Sequence, residues 1–186
     1  MKEIDAIEKI HSIYENLKDK ILKEKFLEIK EILSQIEDLE TLFLQDYQKR
    51  KHEGVYYTDS EITFSIIANT FREYFQKRLN LPRDNQSYMK DLVSKNGKKD
   101  IIRLLKTTKI CDPACGSGIF LLNAANFISE LLQQVVEDEI KEEDLLIILK
   151  NIHGYDITQS AVYITRMKLL WWYYEYSHTS LKSAFQ

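Results

Sequence analysis

The chain has 186 residues, 44% of them hydrophobic and 30% charged, with a formal net charge of −3. That length predicts one domain, or one domain with a helical extension, and the charge balance excludes a global basic field that would draw the chain to nucleic acid. No run of eighteen apolar residues occurs, so no transmembrane helix is expected. The N-terminal stretch MKEIDAIEKIHSIYENL is charged and periodic and lacks the apolar block of a signal peptide. Together with two cysteines placed close to each other, this predicts a cytoplasmic, reducing environment.

Residues 2 to about 50 contain no glycine or proline. Ile4, Ile7, Ile10, Tyr14, Leu17 and Ile21 recur at intervals of three and four, and Leu27, Ile32, Leu33, Ile36, Leu39, Phe43 and Tyr47 continue the pattern. That periodicity predicts amphipathic helix, as two helices in a hairpin or bundle arm ended by Gly54. A further helix is predicted from about Ser60 to Leu79, capped by Asp59 or Ser60 and stopped by Pro82. Arg83 to Asp100 is polar and reads as an exposed connection with at most a helical turn, and Ile101 to Leu105 is short and apolar. Thr107 to Cys111 favours β structure, with Lys109 to Asp112 the expected first strand. Ile119 to about Glu139 is a long amphipathic helix, Glu142 to Leu149 another, Asn151 to Asp156 a second short strand, and Ser160 to Tyr176 a helix opening at a Thr158 or Ser160 cap.

The segment KICDPACGSGIF, Lys109 to Phe120, concentrates two of the five glycines, one of the two prolines and both cysteines. Strand, glycine-rich turn and helix follow in that order. Such an order exposes backbone N–H groups at a helix N-terminus, whose partial positive charge suits an anionic or polar ligand. Gly116 and Gly118 remove the Cβ atoms that would hold a ligand off the backbone. A phosphate-binding P-loop does not fit, because no Gly-Lys-Ser/Thr follows. The nicotinamide fingerprint would need a glycine where Leu121 stands. A plain turn with buried cysteines remains an alternative. Zinc binding by Cys111 and Cys115 lacks a second ligand pair, and His52 and His153 read as surface or packing residues.

DPACGSG, Asp112 to Gly118, resembles the S-adenosylmethionine loop of the amino-methylating DNA methyltransferases, in particular the adenine-N6 enzymes of type I and type IIG restriction–modification systems. The resemblance implies that Asp112, Pro113, Ala114, Gly116, Ser117 and Gly118 wrap the methionine part of the cofactor. GVYYTD, Gly54 to Asp59, resembles the family's G-x-Y-Y-T-P segment, which implies that Thr58 bonds the cofactor carboxylate while Tyr57 packs nearby. Asp59 replaces the usual proline. A helix corner with tyrosines in the core is the alternative for this segment. NIHGYDITQSAVYITRMKLL, Asn151 to Leu170, resembles the family's second strand and following helix. There Asp156 would accept both ribose hydroxyls and Ile157 would pack on the adenine. The interval from Asp112 to Asp156 is 44 residues, against about 20 in dinucleotide folds, and a helix N-cap or turn role for Asp156 stays open.

The resemblance covers about residues 45 to 176. It implies an α/β fold: an N-terminal helical region, 1–52, followed by the first part of a Rossmann-like methyltransferase domain, 53–186, mostly helical with about two short parallel strands. The family's second signature, (Asn/Asp/Ser)-Pro-Pro-(Tyr/Phe/Trp), carries the catalytic contacts to a flipped base, and this sequence contains no Pro-Pro. The expectation is therefore a cofactor-binding N-terminal portion that does not methylate alone. It would be completed by the remainder of the domain and would reach DNA through that remainder or a specificity region. The apolar LLWWYYEY, Leu169 to Tyr176, is expected to pack against further protein, as are the two strands, because parallel sheets need cover on both faces. The other readings are a non-catalytic helical assembly subunit with a vestigial loop, or an RNA or protein methyltransferase. LEIK, Leu27 to Lys30, carries the Glu-x-Lys of nucleases but sits in a helical pattern, and QKRKH, Gln48 to His52, reads as a solvated helix end.

Overall fold

The computed structural model describes residues 3–23, 26–49, 58–79, 97–136 and 140–177. Tyr57, His52, Pro82 and the rest of the GVYYTD segment before Thr58 lie outside them, as does most of the polar connection after Leu79.

The N-terminal periodicity becomes three helices rather than two: α1 (Glu3–Leu22), α2 (Phe26–Leu33) and α3 (Ile36–Lys49). The extra break falls at Ser34 and Gln35, where no glycine or proline warns of it. Ser34 Oγ donates to the Glu31 carbonyl at 2.8 Å and Gln35 Nε2 donates to the same carbonyl at 3.3 Å. Side-chain bonds of this kind satisfy the last carbonyls of α2 and let the chain turn. Ala6, Ile10, Tyr14, Leu17 and Ile21 form the buried stripe of α1, with Ile29 and Leu33 of α2 and Leu39 and Phe43 of α3 facing the same core.

Helix α4 (Ser60–Leu79) starts where expected. Asp59 is its cap: Asp59 Oδ1 accepts the Glu61 N–H at 2.8 Å. Thr63, Ile67, Phe71 and Phe75, four residues apart, form its buried face. Helix α5 (Lys98–Thr107) occupies the stretch read from sequence as connection and short apolar run. Ile101 and Leu105, one turn apart, give it a buried edge. Thr107 and Thr108 belong to its end rather than to a strand, since their hydroxyls donate to the carbonyls of Arg103 and Leu104 at 2.8 and 2.7 Å.

Strand β1 (Ile110–Asp112) leads to α6 (Ile119–Val135), α7 (Glu142–Lys150), β2 (Ile152–Gly154) and α8 (Gln159–Ser177). The strands pair in parallel, Ile110 with Ile152, Cys111 with His153 and Asp112 with Gly154. Helix α6 packs on both strands and on α4, where Phe71 stacks on Phe127 with ring centroids 5.1 Å apart. Cys111 and His153 point to an exposed side of the sheet. Asn151 Nδ2 donates to the Lys106 carbonyl at 2.8 Å and ties the end of α5 to the start of β2.

The apolar end of α8 is partly covered by the described residues. Leu170, Trp172 and Tyr173 are buried, and α8 is flanked by α1, α2 and α3 as well as by α6 and α7. Tyr14 of α1 stacks on Tyr163 at 4.2 Å, Lys168 pairs with Glu40 of α3 at 2.8 Å, and the Tyr173 hydroxyl donates to Glu142 of α7 at 2.6 Å. Within the stretch expected to pack against further protein, Leu169, Trp171 and Tyr174 are only partly buried. Tyr176 at its end remains half exposed.

Candidate functional site

Between β1 and α6 the chain turns twice through left-handed backbone, at Gly116 (φ 53°) and Gly118 (φ 83°). Only glycine adopts such values without steric cost. The two positions differ in their surroundings. A Cβ on Gly118 would lie 2.7 Å from Thr165 Cγ2 and Oγ1, whereas a Cβ on Gly116 would meet nothing within 4 Å. Gly118 is thus demanded by packing against α8, and Gly116 faces open space in front of the loop.

The loop is fastened by a small set of hydrogen bonds. Asp112 Oδ1 accepts the Ala114 N–H at 3.0 Å, folding the backbone over the end of β1. The Cys115 N–H donates to the Tyr155 carbonyl and the Tyr155 N–H to the Asp112 carbonyl, both at 2.9 Å, so the loop continues the contact begun by the sheet. The Gly116 N–H donates to Asp156 Oδ2 at 3.0 Å, and Thr165 Oγ1 donates to the Gly116 carbonyl at 2.9 Å. The Gly116 residue is therefore held through both of its polar backbone groups.

The sequence-predicted residues Asp112, Pro113, Ala114, Gly116, Ser117, Gly118, Asp156 and Ile157 gather around the C-terminal ends of the two paired strands. Pro113 and Ala114 are exposed. Asp156 serves as a turn residue, its Oδ1 accepting the Thr158 N–H at 2.8 Å, and its other oxygen reaches the loop. Each carboxylate oxygen has a second lone pair, so these bonds leave accepting capacity for a ligand hydroxyl. Ile157 is fully exposed and Tyr155 largely so, giving the rim of the site an apolar edge open to solvent. Thr58 stands half-buried just before α4.

Two features of the loop fit a polar ligand such as S-adenosylmethionine. Ser117 Oγ is buried and has no hydrogen-bond partner among the described residues. Gly118 caps α6 without any side-chain bond, and no acidic side chain stands in the first turn. The first-turn N–H groups are consequently left for water or a ligand. Cys115, by contrast, is a packing residue. Burial pushes its thiol above the ordinary range, the carboxylates of Asp156 and Asp112 add to this, and the contact with Thr165 opposes it. Its side chain lies against Gly154, where a Cβ would approach Cys115 Sγ to 3.1 Å.

A cavity of about 520 Å³ opens between α7, β2 and α8 and adjoins the loop. Leu146, Leu149, Val162 and Leu169 line it together with Cys115 and Thr165, and Asp112, Gly116, Gly118 and Asp156 do not. Tyr155, on the rim of the site, lines it too.

Sequence reading did not single out Thr165. The available signal was a hydroxyl on the buried stripe of α8, one turn after Ala161 and beside Ile164, but nothing in one dimension connects it to a glycine 49 positions earlier.

Comparison with known proteins gives the family. The family described as "MmeI, DNA-methyltransferase domain" matches residues 88–184, just over half of the chain, and the chain belongs to that family. A Methanocaldococcus jannaschii protein named "Putative type II restriction enzyme and methyltransferase RM.MjaORFECS2P" is 33% identical over 64% of this chain. The matched region amounts to 12% of that relative's length. No solved structure matches the chain significantly. Among the described residues, no helix is long and apolar enough to cross a membrane.

Proposed function

We propose that this chain is the S-adenosylmethionine-binding portion of a DNA adenine-N6 methyltransferase of a restriction–modification system. The observation that carries the reading is the glycine loop itself. Two left-handed glycines and a helix N-terminus without a side-chain cap meet, at the strand ends, a carboxylate from the turn that follows the neighbouring strand. When bound, the cofactor supplies a methyl group activated on its sulfonium.

The protein groups act by binding and orientation. The open face of Gly116, the first-turn N–H groups of α6 and Ser117 Oγ receive the methionine end. By the family resemblance, Asp112, Thr58 and Tyr57 are assigned to the same end. Asp156 accepts the ribose hydroxyls through its remaining lone pairs, and Ile157 packs on the adenine. Base flipping and contact with the target amino group belong to residues outside this set, so the chain by itself is expected to bind cofactor without transferring methyl groups to DNA. DNA, the remainder of the methyltransferase domain and a specificity region or subunit are the partners this reading requires, in the cytoplasm.

Calorimetric titration of the purified chain with S-adenosylmethionine tests the proposal. Binding near micromolar, about −8 kcal/mol, lost in Asp156→Ala, is the expected result. A folded, monodisperse chain that takes up no S-adenosylmethionine overturns it.

A further inference from the structure

We infer that Thr165 is a positioning residue for the cofactor loop: it fixes the geometry of Gly116 and Gly118 from the neighbouring helix and so sets affinity for the methionine end of the ligand. The inference rests on the cofactor reading above.

The bonding of Thr165 is unlike that of the other helical threonines described. Thr41, Thr63, Thr70, Thr107 and Thr108 each donate to the carbonyl four residues back, at 2.7 to 2.9 Å. That is the ordinary local outlet for a threonine hydroxyl in or near a helix. Thr165 instead sends its hydroxyl across to the Gly116 carbonyl at 2.9 Å. Its side chain is 4% exposed and lies against Gly118 as well, where a Cβ would come within 2.7 Å of it. One side chain therefore braces both left-handed residues, on either side of Ser117.

The brace is itself supported. Cys115 Sγ lies 4.0 Å from Thr165 Oγ1. The thiol, kept protonated by burial, can donate weakly to the hydroxyl oxygen while that hydroxyl donates to Gly116. On the other side of Gly116, Asp156 holds the N–H. A two-glycine loop left unbraced would sample many backbone states, and a ligand would have to order it on binding. Bracing it from α8 removes that cost before the ligand arrives.

The test separates this role from simple structural support. Thr165→Val keeps the side-chain shape and removes the hydroxyl, and Thr165→Ser keeps the hydroxyl. Both are titrated with S-adenosylmethionine and with 5′-methylthioadenosine, which retains the adenosine and thioether but lacks the amino-acid end. The expected result is that Thr165→Val weakens S-adenosylmethionine binding about tenfold and leaves 5′-methylthioadenosine binding unchanged. Thr165→Ser should stay close to the unsubstituted chain for both ligands. Equal affinity of Thr165→Val and the unsubstituted chain for S-adenosylmethionine overturns the inference, and so does a parallel loss of both ligands. Failure of the unsubstituted chain to bind either ligand overturns the cofactor reading instead.

Discussion

Two regions of this molecule are held together in opposite ways. Where α1, α2 and α3 meet α8, the contact is made by apolar side chains at helical spacing, with the Tyr14–Tyr163 stack and the Glu40–Lys168 pair set into it. Where β1 meets α6, the chain is held by a few hydrogen bonds to backbone groups and by two glycines that no other residue replaces without strain. The first region spreads its stability over many contacts. The second concentrates its geometry in a handful of atoms. Damage to the helical layer should therefore lower stability and spare ligand affinity in the folded fraction, whereas damage to the loop should lower ligand affinity even in the folded fraction.

The largest expected effect on stability comes from the helical layer. Leu17 is completely buried. Leu17→Ala removes that packing and leaves a cavity, at a cost of about 2–5 kcal/mol. Denaturant unfolding measures the loss. Calorimetry under conditions where the variant stays folded should return the unsubstituted affinity for S-adenosylmethionine. A lowered affinity in the folded variant would break the comparison, because it would mean that the α1–α8 contact reaches the loop.

The two loop glycines sharpen the comparison from the other side. Gly118→Ala faces both a left-handed φ of 83° and a 2.7 Å approach to Thr165, so backbone strain and overlap add, at about 2 kcal/mol or more. Gly116→Ala has the left-handed φ of 53° but open space around its Cβ, and should cost only about 1 kcal/mol. On ligand affinity both variants should show at least a tenfold loss: Gly118→Ala through the displaced loop, Gly116→Ala because the methyl fills the space a ligand would use. If Gly116→Ala binds S-adenosylmethionine as tightly as the unsubstituted chain, the open side of Gly116 is not the cradle.

The same contrast governs what the sequence revealed. Helix spacing made α1, α4, α6 and α8 legible, because periodic burial is a local property written in one dimension. It missed the break at Ser34 and Gln35, where side-chain bonds to the Glu31 carbonyl turn the chain without glycine or proline. It also missed α5, whose buried edge rests mainly on Ile101 and Leu105 within a polar stretch. In the loop, composition exposed the unusual residues: glycines clustered in a glycine-poor chain mark a backbone that must turn left-handed. What composition could not give is the set of partners. The bond from Asp156 to Gly116 spans 40 positions and that from Thr165 spans 49. The apolar end of α8 taught a related lesson, since a helix that is hydrophobic nearly all round only announces that it will be covered. Helix α8 as a whole packs in part on helices from the opposite end of the sequence.

The smallest expected effect concerns the thiol behind the loop. Cys111 is exposed and Cys115 is buried, its thiol raised chiefly by burial. A thiol reagent applied to the native chain should modify Cys111 rapidly and Cys115 slowly, as mass spectrometry of the peptides would show. The pH dependence has a definite sign. Folding raises the pKa of Cys115, so folded and unfolded chains both keep this proton below about pH 8.5, and stability from this source is then flat. As pH rises further, the unfolded chain releases the proton more readily than the folded one, and stability falls. Tyr14, whose hydroxyl is also raised chiefly by burial, adds a similar loss at higher pH. Cys115→Ala should remove the first part of this alkaline decline and leave the second. If the decline is unchanged in Cys115→Ala, the loop does not bury its thiol closely enough to feel the charge, and the brace from Thr165 is looser than its geometry implies.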